Sequence, residues 1–312
     1  MGGELHFGAR LDPGVGRYAT LVEHARLAER GGYDSIWVND HVAIPEIVGS
    51  EPWLECFTTL AALSRDTARV GLGSLVTAVP WRNPALVAKM GATIDDLSGG
   101  RLILGLGAGG GATEFRRYGW PYAAASDRAR MVGEAAELIR AMWTTPAPSF
   151  SGRYYRTDRA ICEPRPSLPP KILIGATGDR VGLPMAAKHA DIWCLGAAGG
   201  DIQIYRQKVE RIDALCEANG RAPTSLIRAV NVYAIVGPNA SDRLERMLAA
   251  RQAMPHLRAI SIVGTAEQVA ERMRPYLALG ATWFITYFWE PDPAAQADNI
   301  ERFAADVIPL FR

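Results

Sequence analysis

One histidine of this sequence stands where a side chain could carry out proton transfer. His41 follows Asp40 at the end of a short apolar segment, whereas the other histidines fall in predicted helices or strands or in a late loop. Imidazole titrates near neutral pH and a neighbouring carboxylate can hold its tautomer, so the pair suits general acid–base chemistry. Adjacent residues at a strand end point to opposite sides, which leaves a direct contact between the two side chains open. The alternative is a structural histidine bonded to backbone groups.

A glycine-rich segment could bring the backbone close to a ligand. Gly107, Ala108 and Gly109 follow an apolar strand-like run, and two more glycines come directly after them. The fragment that begins at Gly105 formally satisfies G-x-G-x-x-G, but no clear helix follows it before Asp127, which is unlike a dinucleotide-binding turn. Because missing side chains allow close approach, we interpret the segment as lying beside a ligand, with a purely structural turn as the alternative.

A second segment has the composition of an anion site. Ala176, Thr177 and Gly178 follow another strand-like run, and Arg180 stands at the beginning of a predicted helix. Exposed backbone N–H groups, the positive end of a helix and a guanidinium all favour a negatively charged ligand, of which phosphate is the natural example. An ordinary tight turn between strand and helix is the alternative.

Further polar and aromatic residues follow the strands. Ser74 and Thr77 could bond the polar edge of a ring, and Trp81 and Trp120 could stack on one or serve as packing residues. Glu114 is the acid of the fourth loop, and it is interpreted either as catalytic or as a buried carboxylate that satisfies loop amides.

The positions of these residues depend on a repeated pattern of elements. Strands are predicted at residues 5–9, 35–38, 70–75, 102–106, 172–175, 192–195, 227–235 and 283–288. Helices are predicted at residues 19–30, 54–65, 85–97, 128–143, 181–188, 202–218, 240–254 with 266–279, and 294–308. Strands separated by helices indicate parallel crossovers, and eight such pairs predict a closed (β/α)8 barrel, with an open doubly wound sheet as the alternative. The loops after the barrel strands would then build the site.

One segment interrupts this pattern. Residues 146–170 contain six prolines and little helical periodicity, so we predict an insertion before the fifth strand that forms a lid or wall. The 312 residues are otherwise predicted to form one barrel domain. Four arginines of the insertion are interpreted as solvated surface or as a surface for an acidic cofactor tail: Arg153, Arg156, Arg159 and Arg165.

Composition excludes several classes of protein. The sequence is 48% apolar and 21% charged, as in ordinary globular proteins, and its net charge of +1 argues against a nucleic-acid binder that relies on global positive charge. No apolar run approaches the about 20 residues of a membrane helix, and residues 1–7 lack the form of a signal peptide. We therefore expect a cytoplasmic protein that contacts neither membranes nor nucleic acid.

Several kinds of catalytic site are also excluded. The four cysteines have neither metal-ligand nor redox-pair spacing, and no second ligand stands at metal spacing from His41, so no metal site is predicted. No G-x-S-x-G follows a strand, and no P-loop lysine follows a glycine run. The remaining candidates suit a phosphate-bearing ring cofactor beside a proton-transfer residue.

The sequence resembles the bacterial-luciferase-like superfamily of flavin and deazaflavin enzymes. Residues 29–45 are similar to its second strand and active-site histidine, and residues 82–84, 88–89 and 97–109 match its most specific signature. Residues 151–155, 171–178 and 190–193 extend the match, which is good over residues 4–200 and weaker beyond.

The resemblance implies a barrel whose mouth holds FMN or coenzyme F420. The form Asp-His-x-x-x-Pro at residues 40–45 is more like the F420 branch, with His41 near the ring and the substrate. The turn that ends at Leu75 resembles the place where family members carry a non-prolyl cis peptide behind the ring. Thr177, Gly178 and Arg180 would meet the phosphate, and the family likeness further implies a homodimer.

The sequence departs from the family pattern in the fourth loop. Gly110 stands where sugar-phosphate dehydrogenases of this branch place a catalytic glutamate, and Glu114 matches a different, structural glutamate. A sugar-phosphate substrate is therefore disfavoured.

We predict an F420-dependent oxidoreductase that transfers a hydride between the deazaflavin ring and a small organic substrate. Asp40 would tune or orient His41, while Ser74 and Thr77 contact the ring edge. The alternatives are a two-component monooxygenase that uses reduced FMN and a non-catalytic flavin-binding protein.

Overall fold

The barrel strands form one closed parallel sheet. The computed structural model describes residues 4–14, 16–43, 52–196, 201–250 and 257–312. The strands of these residues are, in chain order, β1 (His6–Leu11), β2 (Ser35–Val38), β3 (Gly71–Ser74), β4 (Thr77–Ala78), β5 (Leu102–Gly107), β6 (Phe150–Ser151), β7 (Arg156–Thr157), β8 (Lys171–Gly175), β9 (Ile192–Leu195), β10 (Ile227–Val236), β11 (Ser261–Gly264) and β12 (Trp283–Tyr287). Because β12 pairs in parallel with both β1 and β10, the ring β1-β2-β3-β5-β8-β9-β10-β12 closes. The predicted (β/α)8 barrel is confirmed, and the open sheet is excluded.

Most of the described helices cover the outside of this ring, while the short helix Ala112–Arg117 lies in the loop after β5. The described helices are α1 (Tyr18–Arg30), α2 (Cys56–Asp66), α3 (Pro84–Ser98), α4 (Ala112–Arg117), α5 (Ala125–Thr144), α6 (Gly182–His189), α7 (Ile202–Ala218), α8 (Ala240–Ala250), α9 (Leu257–Ile260), α10 (Ala266–Ala278) and α11 (Pro293–Arg302). Outward-facing strand residues such as Phe7, Val38 and Phe284 are buried in the core between sheet and helices. The short α4 was not predicted, and α5 begins at Ala125 rather than after Asp127.

Two tryptophans fill the part of the barrel interior that lies beneath the mouth. They show which side chains of each strand point inward. The Trp37 and Trp283 rings lie 5.9 Å apart, and both indole N–H groups donate to Oγ of Ser35. A Cβ on Gly73 would lie 2.2 Å from the Trp37 ring, so the neighbouring strand needs glycine there. Since side chains alternate along a strand, Asn39 and His41 continue the inward-facing series of Trp37 toward the mouth.

Additional elements lie between the seventh and eighth barrel strands, β10 and β12. We call the segment from α8 to β11 the excursion. The end of β10, from Tyr233 to Val236, pairs in parallel with β11, and α8 and α9 lie between these two strands. The sequence predicts helices at residues 240–254 and 266–279 and no strand between them, so β11 was missed. The excursion buries Tyr287 and Trp289 at the end of β12.

A buried ion pair anchors this excursion, and its removal should be costly. Arg243 of α8 donates from Nε and Nη2 to both carboxylate oxygens of Glu290, each at 2.7 Å. Burial raises the pKa of Glu290, and Arg243 opposes that rise. We expect Arg243→Met to lower the free energy of unfolding by about 3–5 kcal/mol in urea titrations at neutral pH, because it leaves a buried carboxylate unpaired.

The pH dependence and a matched variant test this explanation. Without Arg243 the native state holds the Glu290 proton to higher pH than the unfolded state, so the deficit grows as pH rises through the native pKa. Arg302→Met breaks only an exposed i,i+4 pair with Asp298 and should cost about 0.5 kcal/mol or less. Equal losses in the two variants would contradict the explanation.

The proline-rich insertion lies along α5. Its strands β6 and β7 form a hairpin, and Glu134 of α5 accepts the backbone N–H groups of Arg153, Tyr154 and Tyr155. The Tyr154 hydroxyl donates to Asp127 in the first turn of α5. Residues 165–167 of the insertion border a cleft at the end of α3, and residues 168–170 border a cleft lined by the amino-terminal ends of barrel strands. The described contacts therefore place this segment against the outer side of the barrel.

Candidate active site

His41 is held at the barrel mouth by a carboxylate from the fourth loop. Nδ1 of His41 lies 2.8 Å from Oε2 of Glu114, whose side chain is only 4% exposed, whereas the imidazole is 37% exposed. Oε1 of Glu114 accepts the backbone N–H groups of Val42 at 3.1 Å and Ala43 at 3.4 Å. Because a carboxylate only accepts hydrogen bonds, Nδ1 carries a proton, and in the neutral imidazole Nε2 is left as an acceptor. Among the described residues Nε2 has no partner.

The contacts of Glu114 fit the interpretation as a buried carboxylate and include His41, while a catalytic role for Glu114 stays a prediction. It satisfies loop amides, as expected of a buried carboxylate, and it also contacts the candidate catalytic histidine. It stands in the first turn of α4, where the positive helix end favours an acidic side chain. The partner of His41 is therefore a residue of the fourth loop.

Asp40 has other partners. Its carboxylate accepts from Arg82 at 2.6 and 2.9 Å and from the backbone N–H of Ala78 at 2.9 Å. Arg82 also bonds Glu55, which caps the start of α2. Burial raises the pKa of Asp40, while Arg82 and the Ala78 amide oppose the rise. Asp40 thus joins the second and third loops, and the carboxylate that contacts His41 is Glu114 instead.

The turn after β3 is braced against β5. Oγ of Ser74 donates to the carbonyl of Gly105 and accepts from the Gly105 N–H, both at 3.0 Å, and it also accepts from Oγ1 of Thr77 at 2.9 Å. The Ser74 hydroxyl is thereby fully used within the protein, and both side chains are buried. The predicted contact of Ser74 and Thr77 with a ring edge stays a prediction that this geometry does not support.

The same turn contains the expected cis peptide, between Leu75 and Val76. Leu75 is buried among the inward-facing residues. A Cβ on Gly107 would lie 2.4 Å from Val76, and a Cβ on Gly109, where φ is +74°, would lie 2.8 Å from Phe115. Packing within the protein therefore accounts for these two glycines, and their predicted role beside a cofactor stays a prediction.

Close packing makes Gly105 a sensitive position. A Cβ there would lie 2.0 Å from the carbonyl oxygen of Ser74, and neither backbone can retreat without moving a barrel strand. We expect Gly105→Ala to lower the free energy of unfolding by about 1–3 kcal/mol, measured by denaturant titration. Gly110→Ala is the control, because a Cβ there meets nothing within 4 Å, and it should change stability by about 0.5 kcal/mol or less. A stable Gly105 variant would show that the turn can shift freely.

A cavity of about 470 Å³ lies between β5, β8, α5 and the beginning of α6. Five of the predicted cofactor residues line it together: Ala108, Ala176, Thr177, Gly178 and Arg180. A Cβ on Gly178 would meet nothing within 4 Å, and no side chain caps the N-terminus of α6. Asp179 is paired with Lys208, whereas Arg180 has no carboxylate within ion-pair distance among the described residues. This donor set fits the phosphate of a ring cofactor.

Arg128 is a buried residue near this cavity whose contacts the sequence did not predict. Its guanidinium donates to the carbonyls of Ala108 at 3.0 Å and Ala123 at 2.6 Å and lies 4.2 Å from the centre of the Tyr122 ring. It therefore fixes the fourth loop to the segment that leads into α5. Its position inside a predicted helix gave no signal of this role.

Other candidates are not brought into the mouth. Trp81 and Trp120 stack on each other at 4.6 Å, with Phe115 against both, as packing residues do. Of the insertion arginines, Arg153 lies 3.9 Å from Asp127 near the cavity, whereas Arg165 pairs with Glu163. Within the described residues, no three His, Cys, Asp or Glu side chains form a metal-binding group, and no helix is long and apolar enough to span a membrane.

Fold and site together define a class: a (β/α)8 barrel whose mouth combines an imidazole–carboxylate pair with a crevice suited to phosphate. The chain belongs to the luciferase-like monooxygenase family, whose profile matches residues 4–259.

Three F420-dependent enzymes are similar to this chain, two in sequence and one in fold. An F420-dependent glucose-6-phosphate dehydrogenase from Intrasporangium calvum is 27% identical over 94% of this chain and 94% of its own length. An F420-dependent hydroxymycolic acid dehydrogenase from Mycobacterium tuberculosis is 33% identical over 70% of this chain and 59% of its own length. A solved F420-dependent secondary alcohol dehydrogenase, in complex with an F420–acetone adduct, has the same fold, with a TM-score of 0.88 over 99% of this chain and 100% of its own at 21% identity.

Proposed function

We propose that this chain is an F420-dependent oxidoreductase that transfers a hydride between the deazaflavin ring and a small organic substrate. The observation that carries the proposal is the 2.8 Å contact between His41 and Glu114 at the mouth. It is supported by the F420-dependent dehydrogenases to which this chain is 27% and 33% identical.

His41 would manage the proton of this reaction. In the direction of alcohol oxidation, Nε2 would take the hydroxyl proton while the carbinol hydrogen leaves as a hydride, with the C–H electron pair, for which a bound deazaflavin would be the acceptor. Glu114 would stabilise the imidazolium that forms. In the reverse direction the same nitrogen returns the proton to the carbonyl oxygen. The bound deazaflavin supplies two-electron hydride chemistry, so the protein needs to position the substrate and manage one proton.

The cavity beside the mouth would hold the phosphate of the cofactor. Backbone N–H groups of Thr177 and Gly178 and the guanidinium of Arg180 supply donors, while Ala108 and Ala176 leave room for a chain between phosphate and ring. We propose that the hairpin of the insertion, held on α5 by Glu134, forms an outer wall near this cavity.

Cofactor titration tests the proposal directly. Purified protein is titrated separately with F420 and FMN, and oxygen uptake is followed with reduced FMN and a panel of alcohols and aldehydes. We expect tighter binding of F420 and substrate-dependent reduction of it without oxygen uptake. Oxygen consumption coupled to product with reduced FMN would overturn the proposal in favour of a two-component monooxygenase, the activity for which the matching family is named. Binding of F420 without turnover on the panel would favour a non-catalytic binder.

We further propose that the chain forms one barrel domain, works in the cytoplasm and assembles as a homodimer. The dimer follows from family likeness, and sedimentation velocity tests it. A monomer at micromolar concentration would contradict it.

A further inference from the structure

An arginine points into the barrel mouth and has no counter-ion among the residues that the structure describes. Arg10, near the end of β1, is half-buried and lies 4.0 Å above the centre of the Tyr287 ring. The Asn231 amide, oriented so that its nitrogen donates to the carbonyl of Ile285, accepts from Nη1 of Arg10 at 3.0 Å. No carboxylate among the described residues lies within ion-pair distance of Arg10, and its Nε is buried without a partner.

The surroundings of Arg10 make an unpaired charge costly. Cys194, from a strand across the interior, belongs to the buried inward-facing cluster, and burial raises its pKa to about 12 although Arg10 opposes the rise. Asp12, the next inward position along the chain, accepts the backbone N–H of Gly14. A charged group that is partly desolvated in this way is usually matched by an opposite charge.

Asn39 supplies a second unsatisfied group on the neighbouring strand. It is 1% exposed, and within the described part of the chain neither its Nδ2 nor its Oδ1 has a hydrogen-bond partner. Arg10 pairs with Trp37 in the β1–β2 register, and Asn39 is the next inward-facing residue above Trp37. Asn39 therefore lies between Arg10 and His41 along the inner wall. Buried polar atoms without partners are rare, and a ligand that bonds them explains why they persist.

We propose that Arg10 and Asn39 bind a carboxylate of the substrate, so that the enzyme acts on a small alcohol or carbonyl compound that carries a carboxylate. This inference rests on the proposed function. The edge of the guanidinium formed by Nε and Nη2 is not used by Asn231, and it matches the two oxygens of a carboxylate. Nδ2 of Asn39 donates to the same group.

Another anionic group could occupy the same place, namely the pyrimidine edge of a reduced deazaflavin. A substrate carboxylate and a cofactor edge lead to different expectations for binding. A substrate carboxylate binds Arg10 in the absence of cofactor, whereas the cofactor edge makes Arg10 important for cofactor affinity. The phosphate crevice lies at β5 and β8, away from β1, and this favours the substrate.

The test uses benzoate and its neutral counterpart benzamide as probes. Binding is followed by quenching of tryptophan fluorescence in the protein without cofactor, and F420 affinity is measured separately. We expect benzoate to bind the unaltered protein about tenfold or more tighter than benzamide, and Arg10→Met to remove that preference. Arg26→Met, which alters an exposed pair with Asp66, is the control and should preserve it. F420 affinity should stay within about twofold in both variants.

Two further variants keep the test decisive if Arg10→Met folds poorly. Asn231→Asp gives Arg10 an internal carboxylate and should abolish the preference for benzoate while leaving the arginine in place. Asn39→Leu should weaken benzoate binding yet raise the midpoint of thermal unfolding by about 2–4 °C, because two unpartnered polar atoms leave the interior. Equal binding of benzoate and benzamide, or an Arg10 variant that loses only F420 affinity, would overturn the proposal. Since the probes bind without cofactor, the result does not depend on whether F420 or FMN is used.

Discussion

Replacing His41 by Asn is expected to lower turnover by about 10²–10⁴-fold, the usual contribution of a positioned acid–base group. The asparagine amide can still donate to Oε2 of Glu114, so the loop geometry is kept. It cannot take up a proton at the place of Nε2, and the reaction therefore loses its proton acceptor. Rapid-mixing measurements of F420 reduction under saturating cofactor give the rate, and F420 affinity should stay within about twofold.

His189 provides a matched control for this substitution. It is a largely buried histidine of α6 that lies 3.6 Å from Glu137, outside the mouth. His189→Asn makes the same chemical change and should leave turnover unaltered. Turnover at the normal rate in the His41 variant would remove the histidine from the mechanism.

The fold was predictable because its signal is repeated. The alternation of strand and helix runs through the whole chain, and each β–α pair admits only a parallel crossover of one hand. The elements that escaped prediction are those without periodicity. β11 has four residues, and α4 has six between a glycine run and an aromatic segment. Their positions depend on tertiary contacts such as the pairing of β11 with β10.

The sequence predicted which strand ends carry the residues of the site, but not which side chains contact one another. Parallel barrels place the loops after their strands at one mouth, so His41 and the segment around Gly178 could be assigned without knowing their contacts. Partners across loops could not be assigned. Glu114 was predicted to be catalytic or a buried carboxylate, but it is 73 residues from His41 and nothing in the sequence pairs the two side chains. Asp40 is adjacent in sequence, yet strand alternation turns it outward to Arg82.

The importance of polar residues that face the barrel interior could not be predicted from the sequence. Arg10 directly follows the first predicted strand and Asn39 directly follows the second, and neither residue type by itself indicates a ligand contact there. Their significance lies in atoms that have no hydrogen-bond partner among the described residues, Nε of Arg10 and both amide atoms of Asn39, and only the three-dimensional structure shows this.

Glu114→Gln should invert the tautomer of His41 and lower turnover by about 10²-fold or more. The backbone N–H groups of Val42 and Ala43 require an acceptor, so the amide oxygen takes the place of Oε1. The amide nitrogen then faces Nδ1, and a donor there requires Nδ1 to accept. The proton moves to Nε2, where the substrate needs an acceptor. Nitrogen NMR of labelled histidine reports which ring nitrogen carries the proton, and steady-state kinetics report the rate.

Glu134→Gln separates this effect from loop anchoring. Glu134 also accepts backbone N–H groups, those of Arg153, Tyr154 and Tyr155, but it bonds no histidine within the described part of the chain. Its replacement should loosen the hairpin and leave the His41 tautomer and the turnover unchanged. If instead the Glu114 variant keeps its proton on Nδ1 and loses activity equally, the carboxylate acts through its charge on the imidazolium rather than through the tautomer. A Glu114 variant with normal turnover would show that the pair does no more than hold the loop.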